Sequence, residues 1–151
     1  MEREWSFRPA RAEDVGELTE LVNDAYRPYV ERLGMLPGPM TEDYEEVVRD
    51  RDVTVVEREG EIVGAIVLGV TEEGFTIENV AVHPSHHGQG VGRALLEFAE
   101  AEALRSGFDS VHLYTHEKMT ENLALYARIG YAEYDRRSNG GFSRVFMRKC
   151  L

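Results

Sequence analysis

A glycine-rich segment that joins an apolar run to a helix constrains this chain more than any other feature. Three glycines occur within five residues, at Gly88, Gly90 and Gly92, and an amphipathic pattern begins directly after them. Glycine lets main-chain amides approach a ligand without a Cβ atom in the way, and the first turn of a helix presents unpaired N–H groups at its positive end. No acidic residue lies between Ala81 and Leu96, although the chain carries a formal net charge of −11. The segment therefore predicts a site for a phosphate-bearing ligand.

Two nucleotide-binding patterns and a plain strand-to-helix turn compete for this segment. The P-loop pattern lacks its lysine and hydroxyl residue here. The dinucleotide pattern G-x-G-x-x-G fits Gly88 and Gly90, but Arg93 stands where the third glycine belongs and His83–His87 separate the strand from the glycines. Glu117 lies at about the distance expected of a ribose-binding carboxylate. The glycine pattern by itself leaves these interpretations open.

Length and composition indicate one globular domain over residues 1–151. A chain of 151 residues can bury a single core, and its hydrophobic and charged fractions are ordinary for a soluble protein. The lone Cys150 excludes an internal disulfide, and neither a signal-peptide h-region nor an apolar run of membrane length occurs. The negative charge argues against nucleic acid and anionic membranes as partners. A cytoplasmic location is the default expectation.

The alternation of strand and helix patterns predicts an α+β fold. The predicted strands are Ser6–Arg8, Val53–Glu57, Ile62–Val70, Phe75–Val82, Ser110–Thr115, Glu133–Arg136 and Ser143–Arg148. The predicted helices are Glu13–Tyr26, Val91–Arg105, Met119–Ile129 and one that begins at an N-cap, Thr41. The proline- and glycine-rich segment Arg27–Met40 is predicted to be a loop. Turns at Glu59–Gly60 and Asn139–Gly141 would close two hairpins.

Two motifs make the chain similar to the GNAT superfamily of N-acetyltransferases. Gly90-x-Gly92, with His87 three residues before Gly90, resembles that family's pyrophosphate motif Q/R-x-x-G-x-G/A, although histidine replaces glutamine or arginine. The segment Tyr114–Tyr131 contains a helix that carries Tyr126 and ends in Gly-Tyr, and it resembles the second half of the family's core. The resemblance covers essentially the whole chain. It implies a central, mostly antiparallel mixed sheet that is flanked by helices and has splayed middle strands.

The resemblance also implies a reaction, the transfer of an acetyl group from acetyl-CoA to a primary amine of a small molecule. One amide on the strand before the loop would stabilise the oxyanion. The residues expected to bind the co-substrate are the strand-edge groups of Val80, Ala81 and Val82 for the pantetheine arm, and His87, Gly88, Gln89, Gly90, Val91, Gly92 and Arg93 for the pyrophosphate. The alternatives are an acetyltransferase that acts on protein lysines or N-termini, and a non-catalytic acyl-CoA-binding module.

Tyr126 is the candidate general acid, because a phenol with a reference pKa near ~10 is protonated at neutral pH and can donate to a leaving thiolate. It also lies on the apolar stripe of its helix, which suits a core aromatic residue. Asn122, one turn earlier, either binds the cofactor arm or faces solvent. Glu78 is the candidate base, or else a surface or ion-paired carboxylate. Tyr114 and His116 are further candidates for the base.

The remaining clusters give weaker indications. The histidines of H-x-x-H-H, His83, His86 and His87, have no cysteine or acidic partner at zinc-ligand spacing, so no metal is predicted. The segment Glu13–Asp50 is rich in acidic residues and carries aromatic and methionine side chains at Tyr26, Tyr29, Met35 and Met40. It would form an acceptor wall that attracts a cationic amine, or a solvated surface. The terminal strands offer an edge through which a homodimer could form.

Overall fold

The computed structural model describes residues 5–139 and 142–151. The strands are β1 (Trp5–Pro9), β2 (Asp52–Arg58), β3 (Glu61–Thr71), β4 (Gly74–Val82), β5 (Ser110–His116), β6 (Ala132–Asn139) and β7 (Phe142–Cys150). The helices are α1 (Val15–Leu33), α2 (Tyr44–Asp50), α3 (Val91–Arg105) and α4 (Thr120–Ile129), with short 3₁₀ turns at Ala12–Asp14, Gly38–Thr41 and Pro84–His86. Part of the predicted turn Asn139–Gly141 lies outside the described residues.

Hydrogen bonds join the strands into one seven-stranded sheet in the order β1-β2-β3-β4-β5-β7-β6. The described registers of β1 with β2, β2 with β3, β5 with β7 and β6 with β7 are antiparallel, whereas β4 and β5 run parallel. The expected mostly antiparallel mixed sheet with flanking helices is therefore confirmed. The described β4–β5 register covers two positions, Thr76 with His112 and Ile77 with Leu113, although the two strands are nine and seven residues long.

The chain divides into two compact units, and β3, β4 and α3 each contribute to both. Unit 1 contains the chain up to Leu68 together with Asn79–Leu96, and unit 2 contains Gly69–Glu78 and Glu97–Leu151. No helix within the described ranges is both long enough and apolar enough to span a bilayer.

In unit 1, α1 buries one set of side chains, Leu18, Leu21, Val22, Tyr26 and Leu33, and β2 and β3 contribute further buried apolar residues. The predicted strand Ile62–Val70 begins as a run in which every residue from Ile62 to Leu68 is buried, as a strand covered on both faces requires. The turn between β2 and β3 has positive φ angles of 52° at Glu59 and 82° at Gly60, which matches a two-residue type I′ hairpin. This hairpin was predicted, and the structure confirms it.

An ion-pair cluster fixes the start of α1 against the first two strands. Arg8 donates to both carboxylate oxygens of Asp14, at 2.8 and 3.0 Å, and also to Glu57 at 3.2 Å. The hydrogen bonds from Arg8 lower the pKa of Asp14 below its ordinary value. In the first turn of α1, Glu17 accepts a hydrogen bond from the backbone N–H of Ile62 at 2.8 Å.

Two predictions about this region were wrong. The first helix does not end at Tyr26 but continues through Pro28 to Leu33, and it ends at Gly34 with a left-handed φ of 72°. Proline costs a helix one hydrogen bond, yet burial of Tyr26 and Leu33 on the core side offsets that loss. The N-cap of α2 is Asp43, whose carboxylate accepts from the N–H of Glu45 at 3.0 Å, whereas the hydroxyl of Thr41 donates to its own 3₁₀ turn.

In unit 2, β5 and β7 contribute buried side chains to the core, and Tyr126 of α4 is buried as well. Three consecutive residues are buried in each of these strands, Val111–Leu113 in β5 and Val145–Met147 in β7. Because successive side chains of a strand point to opposite faces, both faces of the two strands are covered at these positions. The predicted stop of α4 at Gly130 is confirmed by a left-handed φ of 115°.

Candidate active site

The backbone of the glycine-rich loop has the geometry that its sequence predicts. Gly88 and Gly90 have left-handed φ angles of 80° and 88°, which other residues adopt only with strain. α3 begins at Val91, and the N–H of Ala94 bonds to the carbonyl of Gly90 at 3.0 Å. The three amides from Val91 to Arg93 therefore precede the first intrahelical bond and can receive an anion.

Close packing beneath the loop holds the start of α3 in place. The side chain of Val91 is buried, and a Cβ atom at Gly64 of β3 would lie only 2.9 Å from its Cγ1. Glycine at position 64 thus permits the first turn of α3 to approach the sheet closely. The amides above it are anchored by this contact.

The loop histidines bond locally. The ring Nδ1 of His83 lies 2.7 Å from the hydroxyl of Ser85, which in turn lies 3.0 Å from Nδ1 of His86. His83 also faces Asp24, with 3.6 Å between Nε2 and the carboxylate. Within residues 5–139 and 142–151, no group of three or more His, Cys, Asp or Glu side chains is arranged to hold a metal ion.

The side chains expected to lie beside the phosphates differ in what they contact. Nε2 of His87 lies 3.2 Å from the carbonyl oxygen of Val82, and the side-chain oxygen of Gln89 accepts from Arg58 at 3.2 Å. Arg93 lies on the first turn of α3 with its side chain exposed. Its guanidinium is therefore accessible to an anion at the helix start.

The edge of β4 that faces away from β3 carries the backbone N–H and C=O groups of Val80 and Val82. The N–H of His83 bonds to the carbonyl of Val63 in β3 at 2.9 Å, and the carbonyl of Ala81 lies 3.3 Å from where a Cβ atom of Gly64 would stand. Because successive peptide groups of a strand point to opposite edges, the groups of Val80 and Val82 face the other side. Those two residues supply the strand-edge groups of this stretch.

A network of buried tyrosines, which the sequence analysis did not find, lies against that edge. The hydroxyl of Tyr26 is 2.8 Å from Oδ1 of Asn79 and 3.0 Å from the carbonyl oxygen of Val80. The amide nitrogen of Asn79 donates to the hydroxyl of Tyr44 at 3.2 Å, and Tyr44 donates to the carbonyl of Pro39 at 2.6 Å. The sequence signal for this network was Asn79, a polar residue next to the apolar run Val80–Val82.

Unit 2 contains Tyr126 and Glu78, the two residues proposed for acid–base chemistry, and Asn122. Tyr126 is 6% exposed and its ring packs against Tyr131 with 6.2 Å between the centroids. The Tyr131 hydroxyl is buried and has no hydrogen-bond partner among the described residues, and burial raises its pKa. Asn122 is half-buried, with its amide nitrogen 3.7 Å from the sulfur of Met119.

Glu78 is half-buried beside a glycine that makes room for its carboxylate. A Cβ atom at Gly69 would stand 2.6 Å from Oε2 of Glu78, so any other residue at position 69 would displace the carboxylate. Of the other base candidates, Tyr114 is exposed beneath the guanidinium of Arg144, at 4.9 Å. His116 is buried, and burial lowers the pKa of its imidazole below the ordinary value.

Comparison with known proteins identifies the family. Residues 49–133 match the family model described as an acetyltransferase (GNAT) domain. The chain belongs to the GNAT family. A GNAT relative from Bacillus subtilis, S-alkylcysteine N-acetyltransferase, is 30% identical over 96% of this chain and 88% of its own length. Mycothiol acetyltransferase of Jonesia denitrificans is 38% identical, but the match covers 58% of this chain and only 28% of that protein.

Solved structures show the same GNAT fold. PaiA N-acetyltransferase of Thermoplasma acidophilum, in complex with coenzyme A, superposes with a TM-score of 0.82 over 99% of this chain and 100% of its own, at 17% identity. YncA of Salmonella typhimurium, solved with acetyl-CoA, gives a TM-score of 0.73 over 99% and 95% of the two chains, at 23% identity. At these identities the similarity establishes the fold.

Proposed function

We propose that this GNAT protein transfers the acetyl group of acetyl-CoA to a primary amine of a small molecule. The observation that carries the proposal is the cradle formed by the amides of Val91, Gly92 and Arg93 above the left-handed Gly88 and Gly90. Backbone dipoles bind an anion whatever the net charge of the protein, and they suit the diphosphate of acetyl-CoA. The exposed guanidinium of Arg93 adds positive charge beside them.

The acceptor that the relatives favour is the amine of a small amino-acid derivative. The relative matched over nearly the whole chain is named for S-alkylcysteine as its acceptor. A protein acceptor is the second candidate, since the ribosomal-protein-S18-alanine N-acetyltransferase of Escherichia coli has the same fold, with a TM-score of 0.77 at 20% identity. Acidic residues of α1 and α2 would favour a cationic amine over a neutral one.

Each proposed catalytic residue has a physical task. Tyr126 holds a proton at its phenol oxygen and gives it to the departing thiolate. Glu78, in the space that Gly69 leaves, accepts a proton from the acceptor ammonium, directly or through a water molecule. The N–H of Val80 points to the edge of β4 that faces away from β3. This edge is called the open edge of β4, because the described pairing with β5 extends only to Ile77. The N–H donates there to the developing oxyanion, and such a donor is worth roughly 3 kcal/mol of barrier.

The proposal is tested by following release of free thiol from acetyl-CoA in the presence of an amine panel. The panel should hold S-alkylcysteines, other amino acids, polyamines and an N-terminal alanine peptide. We expect thiol release that depends on one small amine, together with thermal stabilisation by CoA. Stabilisation by CoA without thiol release from any amine would favour the non-catalytic module, and stabilisation by NAD or ATP instead would favour the dinucleotide site.

A further inference from the structure

We propose that Tyr26 fixes the point on β4 at which the acyl carbonyl stops, and so restricts the acyl group to acetyl. This inference rests on the proposed function, because it assumes that acyl-CoA binds along the open edge of β4. It assigns to Tyr26 the role of a specificity-determining residue, which differs from the general acceptor wall that its sequence context indicates.

The order of residues along the strand gives the direction of the ligand. Residues 83–90 connect Val82 to α3, so a diphosphate held by the first turn of α3 would lie beyond the carboxyl end of β4. An arm that runs from there along the open edge reaches Val82 first and Val80 second. The thioester, at the far end of the arm, therefore lies near Val80 and not near Val82.

The hydrogen-bonding position at Val80 is already taken by the protein. The Tyr26 hydroxyl lies 3.0 Å from the carbonyl oxygen of Val80, where an amide of the arm would otherwise donate. The arm can therefore pair at Val82, where the exposed His87 ring is the group to be displaced, but it cannot extend the pairing past Val80. The N–H of Val80, on the same edge, is left to the acyl oxygen.

Tyr26 is held too firmly to move aside for a longer acyl chain. Its hydroxyl also contacts Asn79, whose amide group bonds to Tyr44, and Tyr44 bonds to Pro39. Tyr26 and Tyr44 are only 8% and 4% exposed. Rotation of Tyr26 would break the contacts of its hydroxyl with Oδ1 of Asn79 and with the carbonyl of Val80, and a polar group that loses its partner on burial costs free energy. An acyl chain longer than acetyl would meet this ring.

The test measures kcat/KM for acetyl-, propionyl- and butyryl-CoA with one amine, in the wild type and in Tyr26→Leu and Tyr26→Phe. A well-formed pocket discriminates about 10- to 200-fold per methylene. We expect Tyr26→Leu to lower the acetyl-to-butyryl ratio at least about tenfold. Tyr26→Phe keeps the ring but frees the Val80 carbonyl, so its ratio should fall by less, about threefold, on the scale of one hydrogen bond.

Tyr134→Phe is the matched control, because it also removes a tyrosine hydroxyl with a short hydrogen bond, here 2.6 Å to Glu73. The other described contact of that hydroxyl is with the ring of His112 and not with a β4 carbonyl. It should keep the wild-type ratio. An unchanged ratio in both Tyr26 variants overturns the inference while acetyl transfer, and with it the proposed function, stands. If Tyr26→Leu does not fold, Tyr26→Phe decides alone. If the wild type transfers no acyl group from any thioester, the proposed function fails, and the inference fails with it.

Discussion

Substitution of alanine for Gly90 tests the anion cradle directly, because an internal control has the same geometry. Gly90 and Gly107 both have φ of 88°, and a Cβ atom at either position would meet nothing within 4 Å. Alanine therefore introduces the same backbone strain at both sites without a clash, roughly 1–2 kcal/mol. Gly90 lies in the loop before α3, whereas Gly107 lies in the turn that follows α3.

The strain has different consequences at the two sites. Gly90 is exposed in a loop, so in Gly90→Ala the free loop can relax to a negative φ, and the left-handed state must be restored when the ligand binds. We expect the Kd for CoA to rise about 5- to 30-fold, the equivalent of 1–2 kcal/mol. In Gly107→Ala the strain lowers the free energy of unfolding instead, and the Tm should fall by about 2–8 °C.

Isothermal titration calorimetry with CoA and thermal melts of the free proteins give both quantities. The Gly107→Ala protein should bind CoA with a Kd within about twofold of wild type, since its strain is the same with and without ligand. A Kd for Gly90→Ala that is also within twofold would show that residue 90 neither changes conformation nor approaches the ligand. The assignment of the loop as the diphosphate site would then be wrong.

Three further predictions concern single side chains. Tyr126→Phe should keep the affinity for CoA and lower kcat about 10²-fold or more if Tyr126 is the general acid, and equal rates for wild type and Tyr126→Phe would exclude that role. The control Tyr131→Phe deletes a hydroxyl without a described partner and should keep kcat. Burial lowers the pKa of His112, so the unfolded chain binds more protons and stability should fall as pH drops through about 6.5. Urea midpoints measured from pH 8 to 5 should fall less steeply in His112→Gln than in the wild type, and an identical fall would show that His112 is not the cause of the pH dependence. Asp14→Asn removes the carboxylate that Arg8 binds at 2.8 Å and should lower the free energy of unfolding by about 1–3 kcal/mol. The urea midpoint should fall with an unchanged m value, and an unchanged midpoint would mean that Glu57 alone satisfies the hydrogen bonding of Arg8.

The elements that could be predicted from sequence are those whose signals are local. The bounds of α3 were predicted as found, Val91–Arg105, because the glycines before it and the apolar spacing within it mark both ends. The hairpin at Glu59–Gly60 and the end of α4 at Gly130 were equally predictable, since positive φ selects glycine. The continuation of α1 past Pro28 was not, because only burial of Leu33 against the core reveals that the helix survives its proline.

The same distinction applies within the candidate site. The conformation of the glycine-rich loop could be predicted, because Gly88 and Gly90 adopt positive φ angles and such angles select glycine. The network at the open edge of β4 could not, since Tyr26 and Tyr44 reach Asn79 from positions 53 and 35 residues away in sequence. A tyrosine on the apolar face of a predicted helix gives no indication of which carbonyl its hydroxyl will contact in the folded protein. Side-chain contacts over long separations depend on the completed fold.

A diphosphate site built from backbone amides, as proposed, would also explain how a chain with a net charge of −11 can bind a polyanion. At physiological ionic strength the Debye length is about 8 Å, so most of the protein's carboxylates are screened from a ligand at the loop. The proposed contacts, the amides at the start of α3, would lie at hydrogen-bonding distance from the diphosphate, where screening is weak. No acidic residue occurs in the sequence from Val82 to Leu96 to oppose them. Local partial charges therefore outweigh the distant formal ones. The acidic surface repels the anionic ligand and attracts a cationic amine. It follows that added salt should weaken these two effects more than it weakens binding of the diphosphate by the loop amides.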